Sequence, residues 1–217
     1  MASRLHAALY DAALAPAERA GLAEARRRLL SRTRGRVLEI GAGTGLNLDH
    51  YPAGLASLDL VEPDPAMRAK LGGRVRRARL APPVDVHASS FEDAELTPHS
   101  YDTVVTTLAL CTVPDLPGAL ARIAALLAPG GQLLFLEHVR APGLRGRLQS
   151  LAAPLWRRLA AGCHLDRDVA VALRQADFVI SDIERFRLAR TGPLLAPAVA
   201  GLAWPRVAAT ATATATS

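Results

Sequence analysis

Apolar and polar positions follow two different periods along the 217-residue chain. Short apolar and β-branched runs bounded by turn residues predict buried strands, whereas apolar positions three or four residues apart over longer stretches predict helices. The predicted strands are Arg36–Ile40, Ser57–Val61, Val84–His87, 101–108, 132–138, Phe178–Arg187 and 199–203. The predicted helices are 2–34, with a second helix starting at Pro16, and 65–71, 116–127, 144–161 and 166–176.

Strands and helices alternate through most of this pattern. Such alternation is typical of βαβ units, whose strands run parallel and whose helices cover both faces of the sheet. We therefore expect an α/β fold with a doubly wound, mainly parallel, seven-stranded sheet in one domain over residues 1–209. Residues 1–35 would form a helical N-terminal extension that closes over a site as a lid. The tail 210–217 repeats Ala-Thr, and this low complexity predicts disorder.

The charge is strongly basic and comes almost entirely from arginine. The formal net charge is +6, and Lys70 is the only lysine. Arginines cluster at 26–28, 32–36 and 74–79, but no aromatic side chains interleave with them as stacking platforms. We therefore predict no nucleic-acid partner, although weak contact with an anionic membrane surface is compatible with this charge.

Apolar runs, cysteines and histidines limit where the protein can be located and which sites it can form. No apolar run reaches about 18 residues and no signal-peptide core is present, which predicts a cytoplasmic protein. Cys111 and Cys163 are too few for a disulfide framework, and their apolar neighbours predict buried free thiols. The six histidines fit no zinc spacing, so no metal site is predicted.

A glycine-rich segment directly follows the first predicted strand. Its glycines are spaced G-x-G-x-G at Gly41, Gly43 and Gly45, with Ala42 between the first two. Glycine permits a tight turn and lets the backbone approach a ligand closely. A dinucleotide-binding loop would place its third glycine one residue later. This spacing therefore argues against a nicotinamide cofactor.

Two carboxylates sharpen the choice of cofactor. Glu39 ends the first strand, where it can pair with a cation, and S-adenosylmethionine carries an ammonium and a sulfonium. Glu62, followed by Pro63, ends the second strand, where its oxygens can accept both ribose hydroxyls. Each could instead be a cap or turn residue. Further cofactor-binding candidates, on weaker signals, are Asn47, Ser90, Phe91, Thr107 and Leu108.

Together these residues resemble the class I S-adenosylmethionine-dependent methyltransferases, in the branch of the ubiquinone and menaquinone biosynthesis enzymes. The segment 127–133 is similar to the family's helix-to-strand motif before the fifth strand. A narrower resemblance, to the methyltransferase-like thiol S-methyltransferases, rests on 107–113, 135–139, 162–165 and 197–203. The resemblance implies a Rossmann-like sheet, S-adenosylmethionine as cofactor and methyl transfer to a small molecule, with a thiol favoured.

An acceptor must lose a proton before or during attack on the methyl group. The candidate bases are Glu137 and His138 at the end of the fifth strand and His164 in the insertion after it. Tyr10 is a candidate lid residue. The apolar insertion 144–164, with Leu148, Leu151, Leu155, Trp156 and Leu159, is expected to cap an apolar acceptor cavity, or else to pack on the sheet.

Three other functions remain open on the sequence. They are a C- or O-methyltransferase of a quinone or phenolic ring, a regulator that binds S-adenosylmethionine or NAD without transfer, and an RNA-directed methyltransferase. Residues 107–110 read Thr-Leu-Ala-Leu, not Asn/Asp-Pro-Pro-Tyr, which argues against methylation of base amino groups. The acceptor and the oligomeric state are not specified by the pattern.

Overall fold

A computed structural model describes residues 4–78, 80–160 and 162–206, so the predicted disordered tail 210–217 lies outside the described residues. The helices are α1 (Arg4–Ala17), α2 (Ala23–Leu30), α3 (Pro65–Ala78), α4 (Leu116–Leu126), α5 (Gly143–Leu159) and α6 (Val169–Gln175). The strands are β1 (Arg36–Ile40), β2 (Ser57–Val61), β3 (Val84–His87), β4 (Tyr101–Thr107), β5 (Leu127–His138), β6 (Phe178–Arg187) and β7 (Pro197–Pro205).

The strands of this described part form one seven-stranded sheet in the order β3-β2-β1-β4-β5-β7-β6. The first five strands in this order pair in parallel with their neighbours, and β7 runs antiparallel to both β5 and β6. The predicted mainly parallel α/β sheet is therefore confirmed, and the sheet is mixed because of β7. Since β1 to β5 are parallel, their carboxyl ends meet at one edge, where ligands bind in open α/β sheets.

The N-terminal helices break at a different residue from the one predicted. Pro16 lies inside α1 and does not start a new helix, so that prediction is wrong. The short segment Glu18–Leu22 follows at once and joins α1 to α2 across a kink. The chain bends at Gly21, whose φ of 125° is a conformation that side chains rarely allow.

Several element boundaries also move. Helix α3 continues beyond the predicted 65–71 to Ala78. Strand β5 begins at Leu127 instead of 132, and its pairing with β4 is irregular between Tyr101 and Thr103, next to Gly130, whose φ is 78°. Helix α6 begins at Val169, after Asp168, whose side chain accepts from the Val171 N–H and caps the helix.

Two apolar clusters cover the two faces of the sheet. On the α4/α6 face, Phe135 of β5 packs in one cluster with Leu120 and Leu173. On the α2/α3 face, the neighbouring Leu134 packs with helix residues that include Leu29 and Leu71. Because side chains alternate along a strand, neighbouring residues at a strand end belong to opposite faces. This alternation decides which polar residues meet at the site.

The two cysteines are buried and free, as predicted. Within the described residues, no helix combines the length and the apolar character that crossing a bilayer requires.

Candidate cofactor and acceptor site

The glycine loop is fixed to the end of β2 by its own backbone. The N–H groups of Gly41 and Ala42 both donate to the Val61 carbonyl, at 2.9 and 3.0 Å. A Cβ at Gly45 would lie 2.8 Å from a Leu71 methyl carbon, so this glycine is needed for packing. A Cβ at Gly43 would meet nothing closer than a carbonyl oxygen at 4.0 Å. Gly43 therefore faces open space, which suits a ligand lying against the loop.

Glu39 is the centre of a buried polar network at the end of β1. Its Oε1 accepts from the Asn47 side-chain amide at 2.8 Å, and its Oε2 accepts from the Tyr51 hydroxyl at 2.7 Å. The same amide donates to Thr107 Oγ1 at 3.0 Å, which joins the ends of β1 and β4. Burial raises the pKa of Glu39 to about 7, against these hydrogen bonds and nearby Arg26, which lower it. A cationic group bound here would favour the charged carboxylate.

Arg26 and Tyr51 belong to this network and were missed by the sequence reasoning. Arg26 is 4% exposed, and its guanidinium donates to Asn47 Oδ1 at 2.7 Å and pairs with Glu18 at 3.0 Å. The available signal was periodicity, because Arg26 is four residues after Leu22 and three before Leu29, on the apolar face of its helix. No comparable signal marked Tyr51.

Glu62 directly follows β2 and is held by the backbone. Its Oε2 accepts from the Gly43 N–H and its Oε1 from the Asp64 N–H, both at 2.8 Å. Burial raises the pKa of Glu62 above its usual range. The contact with Gly43 places this carboxylate directly beside the open side of the glycine loop. Pro63 is exposed next to it.

A narrow hollow of about 20 Å³ lies beside Glu39 and the glycine loop. It is lined by Tyr10, Arg26, Glu39, Gly41, Ala42, Gly43, Thr44, Leu46, Asn47 and Thr107. The two carboxylates, the open glycine and the buried amide suit the ammonium and ribose of S-adenosylmethionine in chemistry. The volume is too small for the cofactor, so side chains that line the hollow must shift to admit it.

Helix α1 is fastened across this hollow by Asp11. Thr44 Oγ1, in the glycine loop, donates to one Asp11 carboxylate oxygen at 2.6 Å. The other Asp11 oxygen pairs with Lys70 at 3.3 Å and Arg74 at 3.1 Å, both on α3. Helix α1 is thus tied to the glycine loop and to α3 by these polar contacts, and its buried Ala17 also packs in the apolar cluster of the α2/α3 face.

Six of the predicted cofactor-binding residues lie outside the lining of the hollow: Gly45, Glu62, Pro63, Ser90, Phe91 and Leu108. Ser90 donates to Asp93 at 2.8 Å within its own turn. Phe91 is 4% exposed and packs in the apolar cluster of the α4/α6 face, with the Arg122 guanidinium 5.3 Å from its ring centroid. Leu108 has a positive φ of 55°, and its N–H donates to the Leu136 carbonyl at 2.7 Å.

Glu137 lies on the α4/α6 face beneath the loop that follows β4. Its Oε1 accepts from the N–H groups of Ala109 and Leu110, at 3.2 and 3.0 Å, and its buried Oε2 has no hydrogen-bond partner. Burial raises the pKa of Glu137 to about 7. A Cβ at Gly41 would lie 2.8 Å from the Ala109 Cβ, so the loop held by Glu137 touches the glycine loop.

His138 and His164 are not brought together with Glu137 as one catalytic group. His138 follows Glu137 in the strand and therefore belongs to the opposite, α2/α3 face. Burial lowers the pKa of His138 to about 4. His164 lies after α5, where its N–H donates to the Cys111 carbonyl at 2.8 Å. Its pKa is lowered by partial burial and by the nearby Arg167 and Arg157.

The expected apolar cap over the acceptor is not what α5 forms. Leu148, Leu151 and Leu155 are 48%, 79% and 63% exposed, so the prediction that these leucines cap a cavity is wrong. The helix buries its small and polar residues Gly146, Gln149 and Ala153 and exposes its leucines. Among the described residues, no three His, Cys, Asp or Glu side chains are arranged to hold a metal ion.

Comparison with known proteins decides the family. A family model described as a methyltransferase domain matches residues 15–182. The chain belongs to this methyltransferase family. Its cofactor is S-adenosylmethionine, in agreement with the carboxylates and the open glycine of the site.

Two relatives of this methyltransferase are thiol S-methyltransferases. The human protein TMT1A is 31% identical over 170 residues, which are 77% of this chain and 69% of that protein. The rat protein TMT1B is 34% identical over 145 residues, 65% of this chain and 59% of that protein. The chain thus spans less than two thirds of the length of the rat relative.

Solved structures share the fold of this methyltransferase. The N-methyltransferase NodS from Bradyrhizobium japonicum has a TM-score of 0.65 at 16% identity, covering 88% of this chain and 98% of its own. An S-adenosylmethionine-dependent methyltransferase from Mesorhizobium loti has a TM-score of 0.61 at 21% identity, covering 83% and 95%. The predicted family, Rossmann-like fold and cofactor are confirmed, and the roles of single residues stay predictions.

Proposed function

We propose that this chain transfers a methyl group from S-adenosylmethionine to a small-molecule acceptor, with a thiol favoured. The observation that carries the proposal is the pairing of two buried carboxylates, Glu39 and Glu62, with an open glycine loop at adjacent strand ends. The similarity to two thiol S-methyltransferases supports a thiol as acceptor.

The cofactor, when bound, supplies an electrophilic methyl group on its sulfonium. Glu39 would hold the ammonium and Glu62 the ribose hydroxyls, while Gly43 leaves room for the backbone to approach. Asn47 and Thr107 would fix the Glu39 carboxylate. The remaining task of the protein is to hold the acceptor in line with the methyl group and exclude water.

The N-terminal extension, residues 1–35, would act as the lid of the same domain, which we take as residues 1–209. Tyr10 and Arg26 both line the hollow, and Asp11 fastens α1 to the glycine loop and to α3. Opening of this helix would admit the cofactor. Its closure would then exclude water from the reacting groups.

Glu137 fits proton removal from the acceptor better than the two histidines do. Its pKa of about 7 is close to neutral pH, and one of its carboxylate oxygens has no hydrogen-bond partner. His138, with a pKa of about 4, is a weak base. His164, in the segment after α5, stays a second candidate for the base.

Two further predictions from the sequence remain predictions. They are that the protein has no nucleic-acid partner and that it is cytoplasmic.

The test is a screen of thiols, phenols, quinols and amines, read out as release of S-adenosylhomocysteine. We expect turnover with apolar thiols, and we expect Glu62→Ala to weaken cofactor binding by about 1–3 kcal/mol, the scale of hydrogen bonds to a charged acceptor. Glu137→Gln should slow turnover more than it weakens cofactor binding. If phenols or quinols are methylated and thiols are not, the proposal of a thiol acceptor is wrong. If a folded protein that binds the cofactor methylates none of these compounds, the proposed activity is refuted.

A further inference from the structure

Helix α5 turns its apolar face away from the protein. Its leucines are strongly exposed, with 72% for Leu144, 48% for Leu148, 79% for Leu151 and 63% for Leu155. Their spacing of four, three and four residues places them on one face of an α-helix. A stripe of this kind normally faces the core, and here it faces solvent.

The opposite face of α5 is fixed to the protein by small and polar residues. Gln149 is 1% exposed; its side-chain oxygen accepts from the Ala141 N–H at 2.6 Å, and its amide donates to the Leu194 carbonyl at 2.8 Å. A Cβ at Gly146 would clash with the Ala141 carbonyl oxygen, so the helix lies directly on this backbone. The orientation of α5 is therefore specified, and rotation of the leucines inward would break these contacts.

The leucine stripe is flanked by positive charge. The helix carries Arg145, Arg147, Arg157 and Arg158 and no acidic residue. At about 100° per residue, Arg145 lies on one side of the stripe, and Arg147 and Arg158 lie on the other. All four are exposed, and no ion pair involves them within the described part of the chain.

The basic surface continues past the start of the helix. A hollow of about 460 Å³ is lined by Arg140, Arg145, Arg185 and Arg187, together with Asp168, whose carboxylate caps α6. These four arginines are exposed and likewise form no ion pair among the described residues. Arg145 belongs to both surfaces, so the charge forms one continuous rim beside the leucines.

We propose that α5 docks this protein on an anionic lipid bilayer. The four leucines would enter the boundary between headgroups and acyl chains, and the arginines on both sides would reach the lipid phosphates. A second copy fits less well, because packing two leucine stripes together would bring two sets of arginines together without a carboxylate on either helix. This surface is separate from the cofactor site and goes beyond the proposed function.

Vesicle sedimentation tests the docking with the full chain. Phosphatidylcholine vesicles containing about 30% phosphatidylglycerol should sediment the protein, and pure phosphatidylcholine vesicles or 0.5 M salt should reduce binding several-fold. The double variant Leu148→Asn/Leu151→Asn should lower binding to the anionic vesicles by at least about tenfold. Arg147→Gln/Arg158→Gln should lower it by about tenfold.

Matched variants elsewhere on the surface serve as controls. Val171→Asn removes an exposed apolar side chain from α6, and Arg76→Gln/Arg77→Gln removes two exposed charges from α3; both should bind vesicles like the unchanged protein. Circular dichroism checks that every variant is folded. The proposal is overturned if the unchanged protein does not sediment with anionic vesicles, or if the control and α5 variants lose binding equally. It is also overturned if the leucine substitutions instead dissociate a dimer in light scattering.

Discussion

At the scale of single residues, two buried carboxylates are the groups for which a role in the chemistry is proposed. Glu39 and Glu137 both have a pKa raised to about 7 by burial, but they lie on opposite faces of the sheet. Glu39 is enclosed by side-chain donors on the cofactor side. Glu137 is held by backbone N–H groups of the loop after β4 and keeps one oxygen without a partner.

Cofactor affinity should depend on pH through Glu39. Because the pKa of Glu39 is about 7 before binding, the carboxylate that attracts the ammonium is scarce at pH 6 and prevalent at pH 7.5. We expect the Kd for S-adenosylmethionine to fall several-fold over this range, measured by calorimetry. Glu39→Gln should bind weakly at both values; a variant with the same pH dependence as the unchanged protein would exclude Glu39 as the titrating group.

Gly43→Val should abolish cofactor binding while leaving the fold largely intact. The new side chain would project into open space beside Glu62, where the cofactor is expected, and its strain at a φ of 57° should cost about 1–2 kcal/mol. Gly54→Val is the matched control, because Gly54 also has a positive φ, of 93°, with open space around it. Equal loss of cofactor binding in both variants would attribute the effect to backbone strain.

The free energy of unfolding should depend on pH through the buried Glu137. A folded-state pKa of about 7, above the ordinary 4.5, means that this group favours folding below pH 4.5 and opposes it as pH rises through 7. Glu137→Gln should therefore lose less stability than the unchanged protein between pH 5 and pH 8, by about 1–3 kcal/mol in urea unfolding. Glu24→Gln, at an exposed position, should behave like the unchanged protein over that range.

At the scale of elements, the site depends on how α1 rests on the sheet edge. Helix α1 contacts the glycine loop and α3 through Asp11 and packs Ala17 in the apolar cluster, whereas α2 contributes Arg26 from its buried face. If α1 is the lid that we propose, its partly exposed polar contacts can open at small cost. Helix α5 shows the opposite arrangement, since its buried polar face is fixed and its apolar face is free for a partner.

Loosening α1 should speed exchange of the cofactor. Asp11→Asn removes the charge that pairs with Lys70 and Arg74, so the lid should open more often. We expect the dissociation rate of S-adenosylhomocysteine to rise several-fold in stopped-flow measurements. Asp182→Asn, which removes a surface pair with Arg32 at the β6 edge, is the control and should leave that rate unchanged. An unchanged rate in Asp11→Asn would show that α1 does not limit exchange.

At the scale of the whole molecule, the cofactor site joins parts that are distant along the chain. The ends of β1, β2 and β4 meet at it through Glu39, Glu62 and Thr107, and α1 covers it. A ligand that binds across these parts should stabilise the complete fold, because all of them must be in place for binding.

Thermal unfolding should therefore respond to the correct cofactor. S-adenosylmethionine at about 100 times its Kd should stabilise the fold by about 2.7 kcal/mol, which corresponds to a rise in Tm of about 5 °C or more. NAD at the same concentration should not change the Tm. Glu62→Ala should reduce the rise at a fixed concentration of S-adenosylmethionine. A shift with NAD alone would contradict the cofactor assignment.

Local pattern predicted much of this molecule. Four strands, Arg36–Ile40, Ser57–Val61, Val84–His87 and Phe178–Arg187, have the bounds expected from their apolar runs. The positions of the glycine loop and of the carboxylates at the ends of β1 and β2 were also predicted. The residue types at a strand end are adjacent in the sequence, so they need no long-range contact to be recognised.

Only the tertiary structure decided which groups meet and which way each element faces. Arg26 became part of the site because α2 packs against the loop that carries Asn47, 21 residues away. Glu137 and His138 were adjacent candidates, and the packing of β5 between two helical layers separated them. The leucines of α5 predicted a buried face; instead Gln149 and Gly146 specify the orientation, through contacts with a backbone segment whose position follows from the whole fold.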